Sequence, residues 1–519
     1  MRCPYCGFAE SKVIDSRPTE ESNSIRRRRE CLKCQKRFTT YEKLEAISLA
    51  VIKKDQSRQQ YDRGKVLKGI ITACEKRPIS LSQMEQIADD IESELYQSMT
   101  REIESTAIGE KVMEKLSRFY PSEEIISCYD EIKALYNDRI LFSEDDYEKF
   151  AKYSVASPIK AMCLHIAHDC NLRCEYCFAS TGDFGKGRKL MSFETGKKAI
   201  DFLLEKSGDR ENLELDFFGG EPLLNFEVVK QIVEYARSRE KDYGKRFRFT
   251  ITTNGVLLDD DKIDFINKEM SNVVLSIDGR KEVNDKVRKR VDGTGCYDSI
   301  LPKFKRLVSK RGEKEYYVRG TFTKYNLDFS EDVFSLYNEG FDQISVEPVV
   351  CPPEVPYSLT EKELSQIFKE YEKLSERILD NENRRKKFNF FHFMLDLDQG
   401  PCAIKRLRGC GCGNEYVAIT PDGDIYPCHQ FVGLEEFKMG NLDEGTFNLD
   451  LKAEFAAAHV YTKPECRQCW AKFYCSGGCN ANNYIYAGDI HNAHKFSCQL
   501  EKKRLECAIM LKAARLDKE

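Results

Sequence analysis

The chain has 519 residues, of which 41% are hydrophobic and 32% are charged, and its formal net charge is −4. This balance indicates a core-forming globular protein of roughly three or four domains. No apolar run approaches the roughly 20 residues of a membrane helix, and the first residues, MRCPYCG, contain no apolar signal segment. We therefore expect a cytoplasmic protein that has no membrane partner.

The 22 cysteines are concentrated at the start, the middle and the end of the chain. In a reducing compartment, clustered cysteines bind zinc or iron–sulfur clusters more often than they form disulfides. Composition and periodicity then predict five segments: a Cys- and Arg-rich segment at 1–45, a mainly helical one at 46–116, a helix with an acidic linker at 117–158, alternating strands and helices at 159–395, and a Gly- and Cys-rich segment at 396–519.

The first segment contains two CxxC pairs, Cys3 with Cys6 and Cys31 with Cys34. Paired CxxC motifs at this spacing predict a zinc ribbon; the alternative is unbound thiols. The segment carries 11 Lys or Arg against 7 Asp or Glu, and Arg26–Arg29 form an uninterrupted basic run. Such a run either contacts nucleic-acid phosphates or is a solvated charged strand.

Residues 1–116 resemble the NrdR family of repressors of ribonucleotide reductase genes. The matching stretches are VIDSRPTEE, IRRRRECLKC, RFTTYE and ACEKRPIS. The resemblance implies a ribbon that binds operator DNA, and a following ATP-cone that binds ATP or dATP. Residues Lys53, Lys54 and Lys65 are the candidate nucleotide-binding residues.

From residue 159 the pattern changes to strands that alternate with amphipathic helices such as Phe193–Lys206 and Phe226–Arg237. This alternation predicts an α/β fold with a parallel sheet, either open or curved into a partial barrel. The predicted strands are Ile159–Ile166, Leu213–Phe218, Phe247–Thr252, Val273–Ile277, Tyr316–Thr323 and Gln343–Val349.

The first of these strands leads into Cys170, Cys174 and Cys177, a CxxxCxxC motif. Three thiolates in one loop can hold three irons of a [4Fe–4S] cluster and leave the fourth iron open to a small molecule. The alternative is a zinc loop completed by His165 or His168.

The motif resembles that of the radical S-adenosylmethionine (SAM) superfamily, in which the open iron chelates SAM and one electron cleaves it to a 5′-deoxyadenosyl radical. The resemblance implies a partial (β/α)6 TIM barrel and makes the three cysteines catalytic. Further candidates stand at strand ends, where parallel α/β barrels place their sites. The implied SAM-binding residues are Gly219, Gly220, Glu221, Asn254, Ser276, Asp278 and Arg319.

The cysteines after residue 400 are numerous enough for more than one metal centre, either iron–sulfur clusters or two structural zinc ions. Their spacing resembles the SPASM extension of radical SAM enzymes, which holds two auxiliary [4Fe–4S] clusters and so brings the expected total to three. Cys402 competes with Cys410 as the fourth ligand of the first auxiliary cluster. The implied sets are Cys410, Cys412, Cys428 and Cys479 for the first cluster and Cys466, Cys469, Cys475 and Cys498 for the second.

Residues 159–500 further resemble maturases of "six cysteines in forty-five" (SCIFF) peptides, through DCNLRCEYCFAST and GCGCGNEYVAITPDGDIYPCHQFVG. This resemblance implies thioether formation between a cysteine and another residue, often threonine, in a cysteine-rich precursor peptide. It also implies an electron donor such as a flavodoxin or ferredoxin.

Glu347 and Asp278 are either proton carriers or solvated carboxylates. The alternative functions are the repressor and another SPASM activity, such as a side-chain dehydrogenase.

The boundary between the two resemblances is abrupt. The NrdR resemblance ends near Leu116, before the last helices of the cone, and residues 119–150 resemble only the end of the winged-helix peptide-binding domain of a maturase. We interpret the chain as a repressor without its end joined to a maturase without its beginning. Either a fused reading frame or a natural bifunctional protein accounts for this arrangement.

Of the remaining cysteines, we expect Cys163, Cys296, Cys351 and Cys507 to be buried apolar residues.

Overall fold

A computed structural model describes residues 2–18, 24–43, 49–52, 57–74, 81–98, 102–118, 122–138, 140, 145–151, 157–383, 387–395 and 406–516. The chain divides into two compact units, residues 1–144 and 145–519, and each has its own buried core. Within the described ranges, no helix combines the length and the apolar character needed to cross a membrane.

The first unit begins with an antiparallel three-stranded sheet whose central strand is the second: β1 (Ser11–Pro18), β2 (Ser24–Cys31) and β3 (Arg37–Lys43). Among the described residues of this sheet and its turns, the buried apolar side chains are Cys3 and Cys31, whereas Val13, Ile14 and Ile25 are exposed. A sheet with so little buried apolar surface needs a staple such as a metal ion to fold.

The rest of the first unit combines a small sheet with helices, as predicted for a mainly helical segment. The strands are β4 (Ala50–Ile52), β5 (Arg58–Gln60) and β6 (Glu102–Glu104), and the helices are α1 (Arg63–Cys74), α2 (Leu81–Gln97), α3 (Ser105–Ser117) and α4 (Ser122–Asn137). Helix α2 has its apolar residues on one face. The side chains Met84, Ile87, Ala88 and Ile91 form much of the core.

The second unit begins at the short helix α5 (Glu148–Ala151). Its strands are β7 (Ala161–His168), β8 (Leu172–Cys174), β9 (Lys189–Leu190), β10 (Asn212–Gly219), β11 (Arg246–Thr253), β12 (Met270–Ser276), β13 (Arg288–Arg290), β14 (Glu315–Phe322), β15 (Gln343–Pro348), β16 (Asn389–Phe390), β17 (Tyr416–Ile419), β18 (Asp424–Tyr426), β19 (Gly440–Asn441) and β20 (Thr446–Phe447).

Its other α-helices are α6 (Phe193–Lys206), α7 (Phe226–Tyr243), α8 (Asp260–Glu269), α9 (Lys281–Val287), α10 (Tyr297–Ser309), α11 (Phe329–Asn338), α12 (Leu364–Asn383), α13 (Leu449–Ala457), α14 (Pro464–Arg467), α15 (Lys472–Cys475), α16 (Asn480–Ala487) and α17 (Lys495–Leu516). Helix α6 has the predicted bounds. Ser192 caps its first turn by accepting a hydrogen bond from the Thr195 N–H, and Ile200 and Leu203 are buried on its inner face.

The six predicted barrel strands are all present and form one parallel sheet in the order β7, β10, β11, β12, β14, β15. Helices α6, α7, α8, α10 and α11 lie between successive strands in the chain. The α/β fold with a parallel barrel sheet is therefore confirmed, and the carboxyl ends of the strands meet at one edge of the sheet.

The segment after residue 400 is more regular than the sequence predicts. Strand β17 pairs in parallel with β7, so this segment extends the barrel sheet instead of forming a separate layer. Its last helix, α17, has 22 residues and buries Leu500, Leu505 and Leu511. Many glycines and cysteines suggested few regular elements, but the pairing with β7 and this apolar face are tertiary effects that override composition.

Candidate functional site

The four cysteines of the ribbon form a compact cluster. The Sγ atoms of Cys3 and Cys34 lie 3.6 Å apart, as do those of Cys6 and Cys31, and all four lie within 4.8 Å of one another. Tetrahedral zinc with Zn–S bonds of about 2.3 Å places sulfurs about 3.8 Å apart. The donor set and its geometry therefore fit a structural zinc ion.

The basic run of the ribbon lies on the central strand β2. Because side chains alternate along a strand, Arg26 and Arg28 share one face and Arg27 and Arg29 share the other. Arg26 and Arg28 are exposed, whereas Arg29 donates a hydrogen bond from Nε to Thr40 Oγ1 at 3.1 Å. The four arginines thus do not form a single basic surface.

The candidate nucleotide-binding residues are only partly described. Lys53 and Lys54 lie outside the described residues. Lys65 is exposed in the first turn of α1, where its backbone N–H is bonded to Asp62. Its ammonium group is free to approach an anion from solvent.

The loop after β7 brings Cys170, Cys174 and Cys177 to one cavity of about 290 Å³ at the carboxyl edge of the barrel sheet. All three are free thiols. Three free thiols around one cavity fit the three protein ligands of a [4Fe–4S] cluster with an open iron. The predicted SAM-binding residues that line the same cavity are Gly219, Gly220, Glu221, Asn254, Ser276 and Arg319.

The zinc alternative at this loop has no geometric support. Among the described residues, only the ribbon cysteines bring three or more potential ligand atoms within 4.8 Å of one another. His165 and His168 are fully buried, and a hydrogen bond of 2.9 Å joins Nδ1 of His165 to Nε2 of His168. They therefore pair with each other and do not complete a metal site with the cysteines.

The two glycines at the end of β10 allow a close approach of backbones. A Cβ atom on Gly219 would lie 2.3 Å from the Ala167 carbonyl oxygen, and one on Gly220 would lie 2.1 Å from that of Asp169. The Gly220 and Glu221 N–H groups donate to these same two carbonyls at 2.8 Å. The turn that follows β10 is thereby hydrogen-bonded directly to the start of the cysteine loop.

The Glu221 carboxylate is buried and is held by three protein donors. It accepts hydrogen bonds from Leu223 N at 3.0 Å, Thr253 Oγ1 at 2.7 Å and Asn254 N at 2.8 Å. Burial raises the pKa of Glu221 to about 7. The carboxylate thereby fastens the end of β11 to the end of β10, and because it also lines the cavity, its contact with SAM stays a prediction.

Asn254 connects β11 to the cysteine loop itself. Its Nδ2 donates to Asn171 Oδ1 at 2.8 Å and lies 3.6 Å from Cys170 Sγ. The side chain is 6% exposed, so its position is fixed by packing as well as by these bonds.

Asp278 is not part of the cavity wall. It is fully buried, and its carboxylate accepts hydrogen bonds from Tyr176 Oη at 2.6 Å and from Thr321 N at 3.0 Å. The Tyr176 hydroxyl in turn accepts from Arg288 Nη1 at 2.9 Å. Tyr176, one residue before Cys177, is a supporting residue that the motif alone did not reveal.

Arg319 and Glu347 form a bidentate ion pair on the cavity wall. Arg319 donates from Nε to Oε1 at 3.1 Å and from Nη2 to Oε2 at 2.7 Å. Burial alone would raise the pKa of Glu347, but the Arg319 guanidinium lowers it to about 2. Glu347 is therefore ionised and does not release or accept protons near neutral pH.

The cysteines after residue 400 lie near one another in two groups with the membership of the two predicted sets, and their ligation of clusters stays a prediction. Thiols of the first set, Cys410, Cys412, Cys428 and Cys479, each interact electrostatically with the other three. Thiols of the second set line a single cavity of about 300 Å³; they are Cys466, Cys469, Cys475 and Cys498. Both donor sets suit iron–sulfur clusters. The competing ligand Cys402 lies outside the described residues.

Of the cysteines expected to be buried, Cys163, Cys296 and Cys507 are at most 4% exposed. Cys351 is different, because it follows β15 into a loop and lines a cavity of about 630 Å³. The expectation that it is buried is therefore wrong.

Four family models match the chain in order. They are the transcriptional repressor NrdR-like N-terminal domain at residues 1–42, the ATP cone domain at 49–160, the radical SAM superfamily at 164–323 and the iron–sulfur cluster-binding SPASM domain at 410–470. The cone match runs past residue 116, so the predicted truncation there finds no support in it. The exact domain boundaries remain a prediction.

Known proteins match the two parts of the chain separately. Transcriptional repressor NrdR of Caldicellulosiruptor bescii is 62% identical over 118 residues, which are 23% of this chain and 77% of the relative. The repressor NrdR of Acetivibrio thermocellus is 52% identical over 151 residues, which cover 27% of this chain and 100% of the relative.

The solved structure of native anSMEcpe with bound AdoMet and Cp18Cys peptide matches 70% of this chain and 100% of its own, with a TM-score of 0.58 and 20% identity. This likeness establishes the fold of the second part. Through its zinc ribbon and ATP-cone the chain belongs to the NrdR family of transcriptional repressors, and the remainder contains a radical SAM domain followed by a SPASM domain.

Proposed function

We propose that residues 159–519 form a radical SAM enzyme that modifies a peptide. The observation that carries this proposal is that two cavities adjoin: Val349 and Val350 line both the cavity of the three cysteines and the larger one that contains Cys351. The larger cavity combines apolar walls, such as Leu359 and Phe496, with polar ones, so it can contact both the side chains and the backbone of a peptide. The fold shared with anSMEcpe, which was solved with a bound peptide, supports this substrate class.

In this proposal Cys170, Cys174 and Cys177 hold the catalytic cluster. The cluster and SAM together supply a carbon radical that removes an unactivated hydrogen atom. The protein's own contribution is positioning. Gly220 lets β10 approach the cysteine loop, and Arg319 presents a guanidinium at the cavity wall. Since Nε and Nη2 of Arg319 face Glu347, its remaining N–H groups are the ones available to a carboxylate ligand.

The finer proposal is that the product is a thioether. The sulfur of a peptide cysteine bonds to a carbon of another residue, often threonine, and the S–H and C–H bonds break, so the peptide loses two hydrogen atoms. The two later cysteine sets would hold auxiliary clusters, which supply a route for the surplus electron to a flavodoxin- or ferredoxin-type partner. The support for this step is the resemblance to SCIFF maturases and the grouping of the eight cysteines.

Anaerobic reconstitution of the full chain tests both levels of the proposal. The wild type should cleave SAM and remove two hydrogens per thioether from a short cysteine-rich peptide encoded beside its gene. Cys174→Ala should lose both activities, whereas the matched control Cys163→Ala, which alters a buried thiol outside the cavity, should keep them. SAM cleavage by Cys174→Ala would contradict the enzyme assignment.

Alkylation of the product distinguishes a thioether from a dehydrogenated side chain. A thioether consumes one reactive thiol for each pair of hydrogens lost, whereas a dehydrogenation consumes none. An unchanged thiol count with the same mass loss would therefore favour the alternative SPASM activity.

We also propose a second function, DNA binding by the ribbon and nucleotide binding by the cone. The zinc-compatible geometry of the ribbon cysteines and the exposed Arg26 and Arg28 favour it. Binding to a ribonucleotide reductase operator should weaken with salt. Arg28→Ala should reduce the logarithmic salt slope by about 1, whereas Lys111→Ala, in α3, should leave it unchanged. Equal slopes for the two variants would contradict this assignment of Arg28.

A further inference from the structure

A buried lysine lies between the two auxiliary cysteine sets. Lys463 is 1% exposed and immediately precedes α14, the short helix that carries Cys466. Its Nζ donates to the carbonyl oxygen of Gly477 at 2.9 Å and to Asn480 Oδ1 at 2.8 Å. Burying an ammonium group is costly unless nearby groups compensate its charge, and these two hydrogen-bond partners are neutral oxygens.

Cysteines of both sets lie close enough to Lys463 to act on its charge, and each of them is a thiolate when it ligates a cluster. The Lys463 charge interacts with Cys466 and Cys475 from the second set and with Cys479 and Cys412 from the first. The two hydrogen-bond acceptors belong to the same segment, because Gly477 lies between Cys475 and Cys479 and Asn480 follows Cys479. One cation therefore faces both candidate cluster sites.

We propose that Lys463 is a positioning residue that raises the reduction potentials of both auxiliary clusters. This inference rests on the proposed function, which places a cluster at each cysteine set. A cluster ligated by thiolates gains negative charge on reduction, and net charge and hydrogen bonds set its potential. A buried cation favours the more negative, reduced state, and the low local dielectric strengthens the effect.

Redox titration of the reconstituted full chain, followed by electron paramagnetic resonance, tests the inference. Lys463→Met and Lys463→Gln should each lower the equilibrium constant for reduction of both auxiliary clusters at least tenfold, which is 59 mV for a one-electron couple. Lys463→Arg, which keeps the charge, should stay near the wild type. The cluster whose signal changes on addition of SAM should keep its potential in all variants.

Lys452→Met is the matched control. The Lys452 ammonium is also held by carbonyl oxygens, those of Ser157 and Asn414, but the charges that act on it are those of Glu415 and Arg408 rather than thiolates. Its loss should leave both auxiliary potentials unchanged.

A purely structural role for Lys463 predicts a different pattern. Gln can still donate a hydrogen bond to Gly477, so a structural role predicts that Lys463→Gln keeps wild-type potentials; that result would overturn the inference. If Lys463→Met fails to load iron, the auxiliary potentials of Lys463→Gln and Lys463→Arg are compared instead. Both side chains can donate a hydrogen bond, but only that of Arg is charged, so a difference between the two variants supports the inference. A wild type without auxiliary clusters would instead overturn the proposed function, which separates the two failures.

Discussion

Replacement of Gly220 by alanine should disable the radical site by a collision of backbones. A Cβ atom there would lie 2.1 Å from the carbonyl oxygen of Asp169, 2.6 Å from its carbonyl carbon and 2.9 Å from the carbonyl oxygen of Gly182. All three are backbone atoms of the loop that carries Cys170. No side-chain rotation can relieve such contacts, so the loop and the end of β10 must move apart.

The size of the displacement follows from the distances. Ordinary van der Waals contact begins near 3.4 Å, so the oxygen of Asp169 must retreat by about 1.3 Å. Overpacking of this kind costs about 1–3 kcal/mol in the free energy of unfolding. A displacement of about 1 Å in positioning groups lowers turnover about 100-fold. We therefore expect a large loss of SAM cleavage with a moderate loss of stability.

Gly185→Ala is the control, because it introduces backbone strain at a positive φ without a collision of the new Cβ atom. Gly185 lies in the same loop region with a φ of +69°, and a Cβ atom there would meet nothing within 4 Å. It should cost about 1–2 kcal/mol through its left-handed conformation and leave SAM cleavage almost unchanged. Cleavage rates, iron content and urea unfolding of the two variants provide the measurement. Rates that agree within threefold would refute the collision argument.

Three further predictions concern other parts of the chain. Cys31→Ser should release zinc and unfold the ribbon, because little apolar surface is buried there. Zinc analysis and amide hydrogen exchange of residues 11–43 measure these effects. A ribbon that stays protected from exchange without zinc would contradict the prediction. Burial raises the pKa of Asp216 from 3.8 to about 7, so the folded state binds the proton more tightly and stability falls as pH rises across that interval. Urea titrations should show a loss of roughly 2 kcal/mol after allowance for partial solvent contact, and Asp216→Asn should remove it; an unchanged pH profile would refute the assignment. Cys351→Trp should fill the larger cavity and raise the KM for the peptide while SAM cleavage without peptide stays unchanged, whereas an unaffected KM would exclude this route for the substrate.

Local sequence patterns predicted much of the architecture. The barrel strands could be located because each apolar run is short, is bounded by polar turns and alternates with a helix of period 3.6. The zinc ribbon was recognisable because its ligands come in pairs with two residues between them, a spacing that only a few folds use. The residues of each pattern lie close together in the sequence, so the pattern can be recognised without knowledge of the tertiary structure.

Features that depend on distant partners could not be predicted in this way. Strand β17 pairs with β7 across about 250 residues, and nothing in its four residues indicates that neighbour. The same holds for Tyr176, whose partner Asp278 lies 102 positions later. The burial of Lys463 likewise arises from segments that meet only in the folded chain.

Glu221 and Asp278 have a supporting role that the motif resemblance did not reveal. Both carboxylates stand at strand ends, where substrate-binding residues of parallel barrels are usual. Each accepts hydrogen bonds from protein groups, Glu221 from the end of β11 and Asp278 from Tyr176 and β14. They hold the cysteine loop from two sides, one through the glycine turn and one through Tyr176. A catalytic cluster must keep its geometry through each turnover, so buried, hydrogen-bonded carboxylates next to the loop serve it as supports.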